Sequence, residues 1–162
     1  MIGILSDTHD RADATKAAVE LLKQHGAEFY IHCGDVGSER VLDQLAGLPV
    51  AFVWGNNDWD RKSLEEYART LGLDCRGAMA DLQLDGKRLA VIHGDDFALR
   101  RKLLLEQKYD YLLLGHTHLR QDERSGKTRV INPGALYRAR EKSVALLRTD
   151  TDMLRFFVVP AL

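Results

Sequence analysis

Ile2-Gly3-Ile4-Leu5-Ser6-Asp7-Thr8-His9-Asp10 is the stretch on which the reading of this chain turns. A short apolar run ends abruptly in Asp7 and His9. In an extended or turning backbone such an i, i+2 pair can aim two side chains at one centre. The same event recurs four more times. Apolar runs end at Gly34-Asp35, at Gly55-Asn56-Asn57-Asp58, at His93-Gly94 and at Gly115-His116-Thr117-His118. A single Asp after a strand is more often a turn or cap residue than a ligand. Five endings that agree in position and chemistry reverse that weighting.

Between these runs the spacing is helical. Ala14, Ala17, Ala18, Leu21 and Leu22 give an apolar face to a helix from Ala12 to Gln24, with Gly26 as its stop. Ser38 can cap a helix through about Leu45, and Ser63 to Leu71 reads as helical up to Gly72. Strand followed by helix three times over predicts right-handed parallel crossovers. The second half changes character. Asp81 to Leu84 and Arg88 to Ile92 flank Asp85-Gly86-Lys87, a hairpin signal. A helix from about Phe97 to Gln107 follows, then strands at Tyr111 to Leu114, Thr128 to Ile131, Ser143 to Leu147 and Leu154 to Val159. One domain over residues 1–162, with more than one sheet layer, is the economical architecture.

With 45% hydrophobic residues among 162, the chain can bury a substantial core. A net charge of -1 argues against a strong global attraction to nucleic acid or an anionic membrane. Local basic clusters at Arg100-Arg101-Lys102 and between Arg120 and Lys142 read as solvated faces. Two cysteines without a CxxC, Cys33 and Cys75, disfavour a disulfide framework and suit a reducing cytosol. No signal-peptide pattern opens the sequence, and no apolar stretch approaches the roughly 20 residues that span a bilayer. A cytoplasmic location without a membrane partner is expected.

Ligands in open α/β sheets gather at the carboxyl ends of strands, so Asp7, His9, Asp35, Asn56, His93, His116 and His118 could converge on one edge. Seven ligands are too many for one tetrahedral ion but suit two adjacent ions that share a carboxylate. Imidazole mixed with carboxylate and amide oxygen favours manganese, iron, cobalt, nickel or zinc over magnesium or calcium. Two divalent ions outweigh two aspartates, and the surplus positive charge attracts hydroxide and an anionic substrate. Such centres bring the pKa of water to roughly 7, and phosphoryl oxygens are their natural partners.

Asp7-x-His9, Gly34-Asp35, Gly55-Asn56-x-Asp58, His93-Gly94 and Gly115-His116-x-His118, in this order, resemble the motifs of the calcineurin-like metallophosphoesterases. The small size and the Asn132-Pro133-Gly134 turn resemble the compact bacterial and archaeal phosphodiesterase branch, which is related to a eukaryotic retromer subunit. The resemblance runs from Met1 to about Leu136. It implies a four-layer αββα sandwich, two mixed sheets face to face with helices outside and a dinuclear metal site at the strand ends. It further implies that Asp7, His9, Asp35 and His118 hold a first ion. Asp35 would bridge to a second, completed by Asn56, His93 and His116. Manganese is the favoured occupant, with iron, nickel, cobalt or zinc as alternatives.

The sequence departs from the pattern in places. Many relatives carry His after the Asn of the third motif, where it contacts phosphate and assists the leaving group. Here Asn57 stands there, and an amide can donate a hydrogen bond but supplies no proton at neutral pH. Losing a general acid costs about 10²–10⁴-fold in rate, so good leaving groups should be favoured. Asp95 and Ala135 replace a frequent His and Ser without removing a ligand. The expected reaction is hydrolysis of a small phosphodiester by hydroxide held between two divalent ions, with Asn57 contacting the phosphoryl group.

Two other readings stay open. A non-catalytic, metal-binding interaction scaffold of the same fold would show an eroded ligand set, whereas all seven positions here are competent. Trp54, Trp59 and Tyr67 could form its partner surface, although core or pocket-wall packing is the ordinary explanation. A nuclease would show a basic track interleaved with aromatic residues. Asp58 reads as a residue that orders its loop, and His25 and His32 as structural; Arg11 and Arg138 could touch substrate, although a surface role is the ordinary explanation for each. A homo-oligomer is compatible with the sequence.

Overall fold

The computed structural model describes residues 1–160, so the last two residues of the domain expected over 1–162 lie outside it. The elements in chain order are β1 (Ile2–Leu5), α1 (Ala12–Gln24), β2 (Phe29–His32), α2 (Glu39–Leu45), β3 (Val50–Phe52), α3 (Arg61–Thr70) and β4 (Asp74–Cys75). They continue as β5 (Met79–Leu84), β6 (Lys87–Ile92), α4 (Phe97–Glu106), β7 (Tyr111–Leu113), β8 (Arg120–Ser125), β9 (Thr128–Pro133), β10 (Ser143–Arg148) and β11 (Met153–Val158).

The strands form a six-stranded sheet in the order β11-β10-β1-β2-β3-β4 and a five-stranded sheet in the order β5-β6-β7-β9-β8. Both are mixed. Strands β1 to β4 run parallel, as the three early crossovers require, while β10 and β11 add antiparallel at the other side. In the second sheet β6, β7 and β9 are parallel, flanked by antiparallel β5 and β8.

Strand alternation distributes the core. Ile2, Ile4, Ile31 and Ala51 face Leu89, Val91, Leu113 and Ile131 in the layer between the sheets. The opposite face of the first sheet, with Leu5, Tyr30 and Phe52, packs on Ala18, Leu22, Leu42, Leu45 and Leu64 of the first three helices. The outer face of the second sheet packs Ile92, Leu112, Leu114 and Val130 against Leu103 of α4. The result is the expected αββα layering. Because β1 to β3 are covered on both faces, they read as continuous apolar runs rather than alternating ones.

Several local expectations are corrected. Strand β8, Arg-Gln-Asp-Glu-Arg-Ser, has no apolar face, yet it pairs along its whole length with β9. It is an edge strand, and its charges discourage further edge pairing. The two-residue β4 was likewise not expected. The third strand, expected from Val50 to Trp54, ends at Phe52, although the N–H groups of Val53 and Trp54 still donate to His32 and Gly77 beside it. Ser38 precedes α2 but does not cap it with its side chain, since its hydroxyl donates to Asp10. Helix α3 starts at Arg61, where Asp60 accepts from the Ser63 N–H.

Candidate metal centre

The loops after β1, β2, β3, β6 and β7 meet at one edge of the stacked sheets. Where they turn, the backbone is forced into the left-handed region at Asp7 (φ 54°), His9 (41°), Asp35 (57°), His116 (68°) and His118 (59°). That region is uncommon for residues with a Cβ and costs roughly 1–2 kcal/mol each. It persists because the neighbouring loops fix one another: Asp7 N donates to Gly34 O at 3.0 Å, His9 N to Asp35 O at 3.0 Å and Gly115 N to His93 O at 2.9 Å. Strain collected at one place in this way marks a site whose geometry is imposed by the fold.

Two glycines make room for the carboxylates. A Cβ on Gly55 would lie 2.1 Å from Asp35 Oδ1, and one on Gly115 would lie 1.9 Å from Ser6 Oγ and 2.5 Å from Asp7 Oδ2. The glycine of each motif is therefore a requirement of close approach.

All seven candidate ligands reach this edge. Asp7, His9 and His118 offer ligand atoms around one point, and Asp7, Asp35 and His93 around a second. Asp7 belongs to both groups, and Asp35 Oδ2 lies 3.3 Å from His9 Nε2 of the first and 3.3 Å from His93 Nε2 of the second. His118 Nε2 is 3.2 Å from Asp7 Oδ1. Asn56 and His116 stand outside these tight sets, with His116 Nδ1 3.1 Å from Asn56 Oδ1, and the His116 ring lies 5.2 Å from that of His93.

Three buried atoms have no hydrogen-bond partner among the described residues: Asp7 Oδ1, His9 Nε2 and His93 Nε2. Buried polar atoms are ordinarily satisfied, and these three belong to the two groups just described. Their donor chemistry, carboxylate oxygen beside imidazole nitrogen, fits a first-row divalent ion.

The charges fit as well. Burial pushes the Asp35 carboxyl up, but the His93 imidazole 3.3 Å away and hydrogen bonds from Asn57 outweigh it and hold it well below the usual carboxylate range. Burial opposes a proton on His93, yet the neighbouring Asp35 and Asp7 carboxylates raise its pKa to about 9. The Asp7 carboxylate, 3.2 Å away, raises His118, whereas burial lowers His9 despite Asp35 and Asp7 nearby. An ion entering here would replace the proton on His93.

A surrounding set of hydrogen bonds orients these groups. His93 Nδ1 lies 2.9 Å from the Cys33 carbonyl, which directs Nε2 at the centre. Ser6 Oγ donates to Asp7 Oδ2 at 2.6 Å, leaving Oδ1 free. Asp58 is buried and accepts from the N–H groups of Asp35, Gly37 and Gly55 at 3.0, 2.9 and 2.8 Å, so it ties the second and third loops together as expected. His32, set aside from the sequence as structural, is fully buried. Gly34 N donates to its Nδ1 at 3.2 Å, which places the proton on Nε2, 3.0 Å from Thr8 Oγ1. Asn132 donates to the Gly115 carbonyl at 2.7 Å and to Thr117 Oγ1 at 3.1 Å, bracing the fifth loop.

Sequence reasoning did not single out Tyr137. Its ring packs 4.7 Å from that of His9, with the guanidinium carbons of Arg11 and Arg138 at 5.1 and 5.0 Å from its centroid. No spacing rule leads to it, because it belongs to an irregular segment between β9 and β10. Trp54 is core, edge-on to Phe52 at 4.9 Å, whereas Trp59 is 85% exposed.

Comparison with known proteins bears on this geometry. The family model described as the calcineurin-like phosphoesterase superfamily domain matches residues 1–152. A protein of Methanocaldococcus jannaschii named as a phosphodiesterase is 29% identical, over 98% of each chain. A solved structure described as a novel archaeal phosphodiesterase superposes with a TM-score of 0.89 at 28% identity, over 97% of this chain and 98% of that one. A zinc-complexed Vps29 from Entamoeba histolytica shares the fold, with a TM-score of 0.67 at 17% identity over 97% of this chain and 90% of its own.

Proposed function

The chain belongs to the calcineurin-like phosphoesterase superfamily, and from that premise we propose that it is a phosphodiesterase working through a pair of divalent ions. Asp7, His9 and His118 would hold one ion, Asn56, His93 and His116 the other, and Asp35 would serve both. The observation that carries this reading is the position of Asp35 Oδ2, 3.3 Å from the Nε2 atoms of both His9 and His93, beside three buried atoms without partners. Manganese is favoured, with iron, nickel, cobalt or zinc as alternatives. The pair of ions, when bound, supplies Lewis acidity for phosphoryl oxygens and water acidified to near-neutral pH.

The chain's own residues set the rest. Asp7 and Asp35 offset only part of the charge of two ions, which leaves the site attractive to an anionic diester. Asn57 Nδ2 lies 2.8 Å from Asp35 Oδ2 and is the amide nearest the centre that can turn towards a phosphoryl oxygen. It has no proton to give a leaving oxygen, so esters of acidic alcohols or phenols should react best. The near neighbours named as phosphodiesterases support a diester over a monoester. The free cysteines Cys33 and Cys75 support action in a reducing cytoplasm. The test is turnover of bis(nitrophenyl) phosphate by chelator-stripped protein before and after manganese is restored. Metal-dependent turnover is expected, and reloaded protein inert towards diesters and monoesters would overturn the reading.

A further inference from the structure

Residues 137–141 wrap the rim of the candidate centre. Tyr137 packs on His9, and the Arg138 backbone hydrogen-bonds His118. Beyond them Arg140 and Glu141 line a cavity of about 480 Å³ together with His118, Leu119, Arg120 and Ser143. That is the size of a small-molecule site, and it opens directly against a candidate ligand.

The rim carries unpaired positive charge. Among the described residues, Arg11, Arg138 and Arg140 have no carboxylate within ion-pair distance, while most other arginines do. Arg120 is paired at 3.5 Å with Glu141, so Arg140 is the cavity's guanidinium without a carboxylate partner, while Arg11 and Arg138 stack on Tyr137 at the rim. The whole chain carries a net charge of only -1. The cavity's two guanidinium groups outweigh the one Glu141 carboxylate, and an oxyanion at Arg140 offsets the surplus. Their planar forks match phosphate oxygens. Leu119, 69% exposed, supplies an apolar wall beside them.

We propose that this cavity takes one ester arm of the substrate, and that the arm carries a second phosphate. Arg140 and Arg120 bind that phosphate, Leu119 covers the arm, and Arg11 and Arg138, fixed on Tyr137, hold the positive potential on the His9 side. The hydrolytic step rests on the phosphodiesterase reading; recognition of the arm does not.

Two measurements separate the two claims. Calorimetry on metal-free protein compares thymidine with thymidine monophosphate as the probe. The monophosphate should bind and the nucleoside should not, and Arg140→Ala and Arg120→Ala should each weaken binding about tenfold, the usual loss for one charge-assisted hydrogen bond. Arg101→Ala, which removes the same charge from α4, should leave binding unchanged. On manganese-loaded protein, the nitrophenyl phosphodiester of thymidine is compared with the same compound phosphorylated on its other hydroxyl. The ratio of kcat/KM should favour the second compound and fall about tenfold in Arg140→Ala. Equal binding of nucleoside and monophosphate, or an Arg140→Ala variant no different from Arg101→Ala, would overturn the proposal. Phosphate-dependent binding without turnover would support the arm site and count against the phosphodiesterase reading alone.

Discussion

Asn57 donates its side-chain amide to Asp35 Oδ2 at 2.8 Å and its backbone N–H to Asp35 Oδ1 at 2.9 Å. The residue in the expected proton-donor position is thereby tied to the carboxylate proposed to serve both ions. These bonds help keep Asp35 ionised, and the side chain must release one of them to reach a phosphoryl oxygen. Replacing Asn57 with His restores a group able to give up a proton. Asn57→His should raise kcat/KM for alkyl diesters by at least tenfold relative to nitrophenyl diesters. An unchanged ratio would mean that position 57 does not face the leaving oxygen.

Gly115 tests the close approach of the fifth loop to the first. A methyl group there would meet Ser6 Oγ at 1.9 Å and Asp7 Oδ2 at 2.5 Å, both beneath the first loop. Neither atom can retreat, because Ser6 and Asp7 are buried and bonded to each other. Gly115→Ala should cost about 1–3 kcal/mol of stability, read by denaturant unfolding, and should weaken metal binding at the Asp7 side.

Asp58 organises two loops with one carboxylate. Removing it leaves three backbone N–H groups without their acceptor. Asp58→Ala should destabilise the protein by roughly 2–4 kcal/mol and weaken metal binding, although Asp58 itself is no candidate ligand. Unfolding of metal-free protein and a manganese titration check the two effects separately.

Much of this was legible in the sequence because the physics was local. An apolar run ending in Gly-Asp or Gly-His names both a buried strand and the turn that follows, so β1, β2, β6 and β7 could be placed together with their ligand candidates. Strand β8 escaped because an edge strand needs no apolar face, although Ser125-Gly126 marks the turn that joins it to β9. Ser38 looked like a cap because the hydroxyl's competing partner, Asp10, is distant along the chain. Tyr137 escaped for the same reason, and with it the stacking that fixes Arg11 and Arg138. Their significance lies in what folding brings beside them, and neither period nor motif encodes that.

His32 gives the pH dependence. Burial penalises its charged form and lowers its pKa to about 4, against about 6.5 when unfolded. Below pH about 6.5 the unfolded chain therefore takes up a proton that the folded chain refuses. The metal-free protein should lose stability as pH falls from about 6.5 to about 4, by about 3 kcal/mol from this group, and the His32 share of the loss should level off below that. In His32→Gln, which does not titrate, the slope in that window should be shallower by the same amount. Equal slopes from denaturant unfolding would show that His32 is not held neutral.

The central claim is that Asp35 serves two ions at once. Titrating metal-free protein with manganese, following bound metal by calorimetry and spin coupling by electron paramagnetic resonance, tests it directly. The wild-type protein should bind two ions with a coupled signal. Asp35→Asn, which keeps the shape but loses the charge, should bind at most one ion tightly, show no coupling and lose phosphodiester turnover. A coupled two-ion signal in Asp35→Asn, or a single uncoupled ion in the wild type, would contradict the account.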